Sequence, residues 1–365
     1  MKIGIVTYHV ARNYGVMLQA YAMQTLLGAK GHDARLVHLR RPQSFDAMSR
    51  KGRARSLKGL IRALPRRFLR KRLERREERF ETFLQEHLRL TDRYPNGKAL
   101  CENPPAMDAF VCGSDQIWNL DRGINTTFFG DFVPDGVRLV SYAASMGNNR
   151  VPERLRDEVR RLLGRFDHLA VREESARPVI GELTGREVAT VMDPTFLVEA
   201  DHWRSLAVKP ALDRPYIAFY SLETSPRISA IVRRVARLTR MPVVVLGKGG
   251  GFVLTCRSHL AIDSGPREFL GWLQHAALVL TNSFHATAFS IKLGSPFVTI
   301  THSTRNNRMA DLLGGLGLEG RMVENAAALD AGRMESLRSP LPADLSERLD
   351  AKIGESRGYL ERALA

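Results

Sequence analysis

A chain of 365 residues with 44% hydrophobic and 26% charged content has globular composition and is long enough for two domains. Its longest apolar runs ("PVVVLG", "AALVL") fall far short of a membrane span and no apolar stretch of signal-peptide length follows Met1, so a cytoplasmic protein is expected. Cys101, Cys112 and Cys256 show no CxxC spacing, which argues against a disulfide framework and a zinc site, while a formal charge of +16 calls for a polyanionic partner.

In chain order, residues 2–9 read as a strand, 15–28 as a helix and 34–39 as a strand, with "GAKGH" as the turn. The charge then concentrates. From Arg50 to Arg79, fourteen lysines and arginines stand against Glu74, Glu77 and Glu78. Apolar residues recur at helical spacing through 66–88, from Phe68 and Leu73 to Phe80, Leu84 and Leu88, so an amphipathic helix is expected there. It is either a solvated surface face or a contact for anionic lipid at the inner face of the membrane. No nucleic acid is expected, since no interleaved aromatic platform or known motif accompanies the charge.

Strand-like "AFVCG" (109–113) and "LVSYAAS" (139–145) come next, then helix 152–164 and the segments 168–176 and 188–198. A polar, proline-bearing stretch at 199–214 marks a boundary. Beyond it, strand 216–221, helix 226–240, strand 242–247, helix 267–276, strand "ALVLT", helix 284–293 and strand 297–300 alternate. Continuous apolar strands alternating with amphipathic helices indicate parallel sheets covered on both faces. The expected fold class is therefore α/β, with two Rossmann-like domains facing each other across a cleft. Residues 1–200 would form the first domain, with the basic helical insertion around 45–100, and residues 201–335 the second. Residues 336–365 read as C-terminal helices without a definite place.

Ligands of such sheets sit beyond the carboxyl ends of strands, beside helix N-termini. "TNSFHA" (281–286) is the richest of these loops. One of Thr281, Asn282 and Ser283 suffices to cap the helix, which leaves a hydroxyl- and N–H-rich helix start suited to an anion. His285, in the first turn, is either a satisfied histidine or a general acid or phosphate ligand. In "GSDQIWN" (113–119), Ser114 and Asp115 stand at a strand end, with Asp115 a base towards a hydroxyl or the cap of the next element. Asn13 and Gly15 also present N–H groups towards the cleft, and the absence of GxGxxG argues against a dinucleotide. Arg172 in "VREESA" and Arg308 in "STRNNR" are each either surface ion pairs or anion contacts.

"NYGVMLQAYAMQ", "FVCGSDQIWN", "SYAASMG", "VREESA", "VMDPTFLV" and "TNSFHATAFSIKLGSPFV" together resemble the polysaccharide pyruvyl transferase family over roughly residues 1–320. The resemblance implies a GT-B-like pair of domains. It also implies transfer of a pyruvyl group from phosphoenolpyruvate, the donor substrate, to two hydroxyls of a glycan or lipid-linked sugar as a cyclic ketal, with no cofactor or metal required. By the same resemblance His285 binds phosphoenolpyruvate and is the candidate proton donor, and Asp115 is the candidate base. Arg172 and Arg308 are clamps, and Asn282 and Ser283 line the site. The basic insertion has no counterpart in the resemblance. The competing expectations are a GT-B-type glycosyltransferase using a nucleotide-sugar and a non-catalytic binding protein on the same fold.

Overall fold

A computed structural model describes residues 1–39, 66–121, 123–247, 258–303 and 306–365. Residues 50–65 of the basic run, Lys248–Gly251 and Arg305 lie outside the described residues. The first unit runs β1 (Lys2–Val6), α1 (Tyr14–Ala29), β2 (Asp33–Leu36), α2 (Arg66–His87), α3 (Gly97–Glu102), β3 (Ala109–Cys112) and β4 (Arg138–Ser141). It continues through α4 (Arg156–Leu163), β5 (Ala170–Val171), α5 (Arg177–Thr184) and β6 (Ala189–Thr190). Two short helices, α6 (Pro194–Leu197) and α7 (Ala200–Leu206), lead into the second unit.

That unit comprises β7 (Ile217–Tyr220), α8 (Pro226–Thr239), β8 (Val243–Leu246), β9 (Ser258–Ala261), α9 (Pro266–Gln274) and β10 (Leu278–Thr281). After these come α10 (Phe284–Leu293), β11 (Phe297–Ile300), α11 (Asn307–Gly314) and β12 (Met322–Val323), then α12 (Ala331–Arg338) and α13 (Leu345–Leu364).

The first sheet is parallel in the order β2-β1-β3-β4, and the β5-β6 pair joins its edge through bridges Val140–His168 and Ala144–Val171. Its order reverses between β1 and β3. The second sheet, β12-β11-β10-β7-β8-β9, is also parallel and has the doubly wound Rossmann order, reversing between β7 and β10. Strands β3, β8, β10 and β11 are buried along their whole length, as continuous apolar runs in covered parallel sheets should be. The thiol of Cys112, in β3, is fully buried, and burial pushes its pKa up, so it behaves as a small hydrophobe.

The two reversal points face each other because the helices that follow β1 and β10 pack together. Both α1 and α10 are buried nearly all round, and α1 also packs on α6 and α9. A helix apolar on every side belongs in an interior.

The C-terminal helices, of which residues 336–365 had no definite place in the sequence reading, acquire one. Helix α12 packs on the second sheet through Met334 and Leu337. Helix α13 crosses back to the first unit, where Tyr359 Oη donates to Ser141 O at 2.8 Å and Met192 N donates to Ser356 Oγ at 2.9 Å. Basic helix α2 buries Phe80, Phe83 and Leu84 and turns several of its cations inward. Arg76 is buried, donates to Arg12 O at 2.7 Å and lies 4.5 Å from the Phe80 ring centroid. Arg79 donates to Asp263 O at 2.9 Å and pairs with Glu268 at 3.2 Å, bridging to the second unit. Arg70, Lys71 and Arg75 remain exposed.

Candidate active site between the two sheets

The centre of the site is set by a dipeptide. A few residues beyond β6 the chain turns at Pro194, which needs no N–H partner and opens α6 at its first position. Asp193 caps that turn: its Oδ1 accepts from Thr195 N at 3.1 Å and from Thr195 Oγ1 at 2.8 Å. The other oxygen, Oδ2, accepts from Ser114 Oγ at 2.8 Å and Arg172 Nη1 at 2.9 Å. His285 Nε2 approaches the same oxygen at 3.4 Å, an ion-pair distance whose alignment falls short of a hydrogen bond. Burial alone would raise the Asp193 pKa, but His285 and Arg172 beside it, with the Thr195 bond, outweigh burial and hold the carboxyl well below the usual carboxylate range. Asp193 is therefore an anion shared by residues of both units.

Arg172 follows β5 and is equally buried. It gives Nε to Glu173 at 3.1 Å and Nη1 to Asp193, and its guanidinium lies 4.0 Å from the Phe284 ring centroid. Burial works against its charge, yet Glu173, Asp193 and Asp115 raise its pKa. Phe284 opens α10 after the Ser283 cap, whose hydroxyl accepts from Ala286 N at 3.5 Å, and Thr281 Oγ1 accepts from Ser283 N at 3.0 Å. Asn282 Oδ1 accepts from Leu222 N at 2.8 Å. Thr281 and Ser283 thus serve the backbone, which accounts for two of the loop's polar groups. Three nitrogens around Phe284 have no hydrogen-bond partner: Asn282 Nδ2, His285 Nε2 and Arg172 Nη2. One acceptor nearby, Glu173 Oε2, shares that condition.

Gly15 comes to the other edge of the histidine. A Cβ built on Gly15 would lie 2.3 Å from His285 Nδ1 and 2.4 Å from Cγ, so only a glycine allows α1 to approach the ring. Nδ1 is thereby packed against α1, and Nε2 is the nitrogen turned towards Asp193. Asn13 caps α1, accepting from Gly15 N at 3.0 Å, so its carboxamide oxygen is engaged in the backbone. Asp115 adjoins Ser114 in a left-handed conformation (φ 65°), and its Oδ1 accepts from Gln116 N at 2.8 Å. That bond is local, and Asp115 stands beside the cluster while Asp193 occupies its centre. Gly113, at φ 133°, is needed for this turn: a Cβ there would lie 1.9 Å from Tyr142 O. Arg308, at the start of α11, reaches across to the first unit. With the Gln116 carboxamide oriented oxygen-inward, Gln116 accepts from its two terminal nitrogens at 2.8 and 3.1 Å. Trp118 is core, donating to Phe128 O at 3.1 Å.

Sequence reasoning brought Ser114, Arg172, Asn282, Ser283, His285 and Gly15 to one place and missed Asp193, Glu173 and Phe284. A signal for Asp193 was present: Asp before Pro is a helix-start signature.

A cavity of about 590 Å³ opens beside the cluster, walled by Arg172, Asp193 and Phe284 on one side and by α11 and α13 on the other. Among the described residues no group of three or more His, Cys, Asp or Glu could hold a metal ion. The donor set is one of amide, imidazole and guanidinium N–H groups, the partners of an oxyanion.

The family model described as polysaccharide pyruvyl transferase matches residues 13–304. No curated protein matches the chain in sequence. Among solved structures, a glycosyltransferase from Rickettsia africae is similar at 10% identity, covering 99% of this chain and 93% of that one with a TM-score of 0.54. A UDP-GlcNAc 2-epimerase from Methanocaldococcus jannaschii, in complex with UDP-GlcNAc and UDP, shares 13% identity over 96% and 99% of the chains with a TM-score of 0.52. The N-terminal domain of trehalose-6-phosphate phosphatase from Candida albicans shares 10% over 99% and 96%, with a TM-score of 0.53. These likenesses establish a GT-B-like, two-domain α/β fold, on which several chemistries occur.

Proposed function

The chain belongs to the polysaccharide pyruvyl transferase family, and on that premise we propose that it moves the pyruvyl group of phosphoenolpyruvate onto two hydroxyls of a glycan or lipid-linked sugar. The observation that carries this reading is the trio of buried nitrogens without a hydrogen-bond partner around Phe284, on Asn282, His285 and Arg172. A ligand with a phosphate and a carboxylate satisfies such a set, and the start of α10 adds free N–H groups and the positive end of its dipole.

The chemistry follows from the positions. His285 Nε2 gives a proton to the terminal methylene of phosphoenolpyruvate, which makes C2 electrophilic. A sugar hydroxyl adds to C2 as a base removes its proton, and Asp115 is the candidate for that base. Phosphate then leaves with the C2–O electron pair, and a second hydroxyl closes the ketal as its proton returns to His285, so one phosphate is released per ketal formed. Asp193 does not touch the reacting atoms in this scheme. Its Oδ2, 3.4 Å from His285 Nε2, holds the imidazole in place until the donor takes up that nitrogen. Arg172 and Arg308 offset the charge of the bound dianion.

The competing reading, a glycosyltransferase using a nucleotide-sugar, draws on the Rossmann strand order of the second sheet. Thermal denaturation separates the two. Phosphoenolpyruvate raises the melting temperature under the pyruvyl-transfer reading, and a uridine diphosphate-sugar alone raises it under the other.

A further inference from the structure

Phosphoenolpyruvate is a small molecule, and the cavity beside the Asp193–Arg172 pair is of the size that takes a whole organic ligand: about 590 Å³. Its two walls differ in origin. Arg172, Asp193 and Phe284 lie within residues 13–304, the span the family model matches; the opposite wall, from α11 and α13, lies beyond residue 304. A wall inside the matched span therefore faces a wall outside it.

The second wall is amphipathic. Leu312 and Leu316 contribute apolar surface, while Lys352 and Glu355, three residues apart on one side of α13, contribute an ammonium and a carboxylate. Neighbouring charges on the cavity are engaged: Arg177 pairs with Glu174 at 2.8 Å and Asp311 accepts from Ser175 N at 3.1 Å. The charged heads of Lys352 and Glu355 make no hydrogen bond or ion pair with other described residues, and α13 is anchored close to them by Ser356, whose hydroxyl also donates to Lys352 O, and by Tyr359. A rigid helix holding one donor head and one acceptor head over an apolar floor matches a pyranose, whose ring faces are C–H and whose rim is hydroxyl.

We infer that this cavity is the acceptor subsite, and that Lys352 and Glu355 read the hydroxyls of a pyranose whose reacting pair points at the Arg172–Asp193 wall, against which His285 lies. The inference rests on the pyruvyl-transfer reading for the identity of the donor, but the cavity's preference for a sugar is testable without it. The acidic head accepts from hydroxyls, the basic head donates to them, and neither enters the bond-making steps, so both act on acceptor affinity.

The probes are the methyl β-pyranosides of glucose, galactose, mannose and N-acetylglucosamine, read by saturation-transfer NMR on the full chain with and without phosphoenolpyruvate. Alongside the wild type stand Glu355→Ala, Lys352→Ala and Ala310→Trp, the last placing an indole from an exposed cavity-lining position into the space. At least one pyranoside is expected to bind the wild type, about tenfold more weakly in the α13 variants and not detectably in Ala310→Trp. The phosphoenolpyruvate-induced rise in melting temperature is expected to be the same in all four proteins. Pyranoside signals that survive in Ala310→Trp, or a wild type that takes phosphoenolpyruvate and none of the pyranosides, would overturn the subsite. A wild type that binds a pyranoside lost in Ala310→Trp, yet gains no stability from phosphoenolpyruvate, upholds the subsite and overturns the donor.

Discussion

Gly15 and His285 touch although 270 positions of chain separate them: a Cβ on Gly15 would lie 2.3 Å from His285 Nδ1. The start of the helix after β1 thus serves as a backstop for the histidine at the start of the helix after β10. Replacing Gly15 with Ala must push the imidazole towards Asp193 or push α1 away. The expected cost is about 1–3 kcal/mol of stability from overpacking, and a fall in kcat of about 10²-fold from a displacement near 1 Å. Gly28 is the control, since a Cβ there meets nothing within 4 Å. Gly28→Ala should stabilise by up to about 1 kcal/mol and leave turnover intact. Urea denaturation and steady-state kinetics on the two variants check this.

Asp193 should be indispensable in two separable ways. Asp193→Ala strands the buried Arg172 and is expected to cost about 3–5 kcal/mol. Asp193→Asn keeps the shape and the Thr195 cap but removes the charge beside His285. For it we expect a loss of about 10²–10⁴-fold in kcat with a much smaller change in KM for phosphoenolpyruvate. An asparagine variant with wild-type kcat would free His285 from any dependence on Asp193.

Acid should weaken the fold in two stages. His9 is buried, with Nδ1 2.9 Å from Thr7 O, and its pKa is lowered to about 4, first by burial, against the Thr7 bond that raises it, and with His38 lowering it further. A histidine with a depressed folded pKa binds fewer protons folded than unfolded between the two values, so stability is complete above pH ~6.5 and declines as pH falls towards 4. The loss is on the order of 3 kcal/mol. Asp193, whose carboxyl is held low, contributes stability that is present above the ordinary carboxylate pKa and is lost only as pH falls below about 4. Stability across pH 4–7.5 should therefore slope in the wild type and slope less steeply over that window in His9→Gln, the remainder coming from His32, His38, His87 and His259, which burial also lowers.

Basic helix α2 should divide by face. Arg72, Arg76 and Arg79 are turned towards Leu260, Arg12 and Asp263, so neutralising them should lower stability. Arg70, Lys71 and Arg75 are exposed, Arg75 with one long contact to Asp263 at 3.5 Å, and we propose that they, with the preceding basic residues, meet anionic lipid. Each of these is worth about 1 kcal/mol near such a surface, so the triple alanine variant should lose about two orders of magnitude in partition onto phosphatidylglycerol vesicles at unchanged melting temperature. Equal partition would remove the membrane from the account.

The strands and helices of the second unit were legible because their apolar runs are continuous and their ends carry Gly, Pro and cap residues. Helix 284–293 and strand 297–300 stand where their residues predict them. The polar loop after β10 was legible as a site because it holds more polar groups than a cap needs. What stayed hidden was pairing across distance. Ser114 and Asp193 are 79 residues apart, and nothing local in either announces the other. Asp115 drew attention as the first carboxylate beyond a strand, yet its left-handed backbone turns its Oδ1 to its neighbour's N–H, while the carboxylate at the centre comes from the Asp-Pro turn. The return of α13 was equally invisible, since its apolar stripe shows that it packs but not on which sheet.

The most direct test is phosphate release from phosphoenolpyruvate across a panel of sugar acceptors, with the ketal counted by ¹³C NMR from the C2 carbon. Release that requires a sugar, one ketal per phosphate, and a loss of about 10²-fold or more in His285→Ala are expected. Unimpaired turnover in that variant, or phosphate released without a ketal in the presence of an acceptor that binds, would contradict the proposed function.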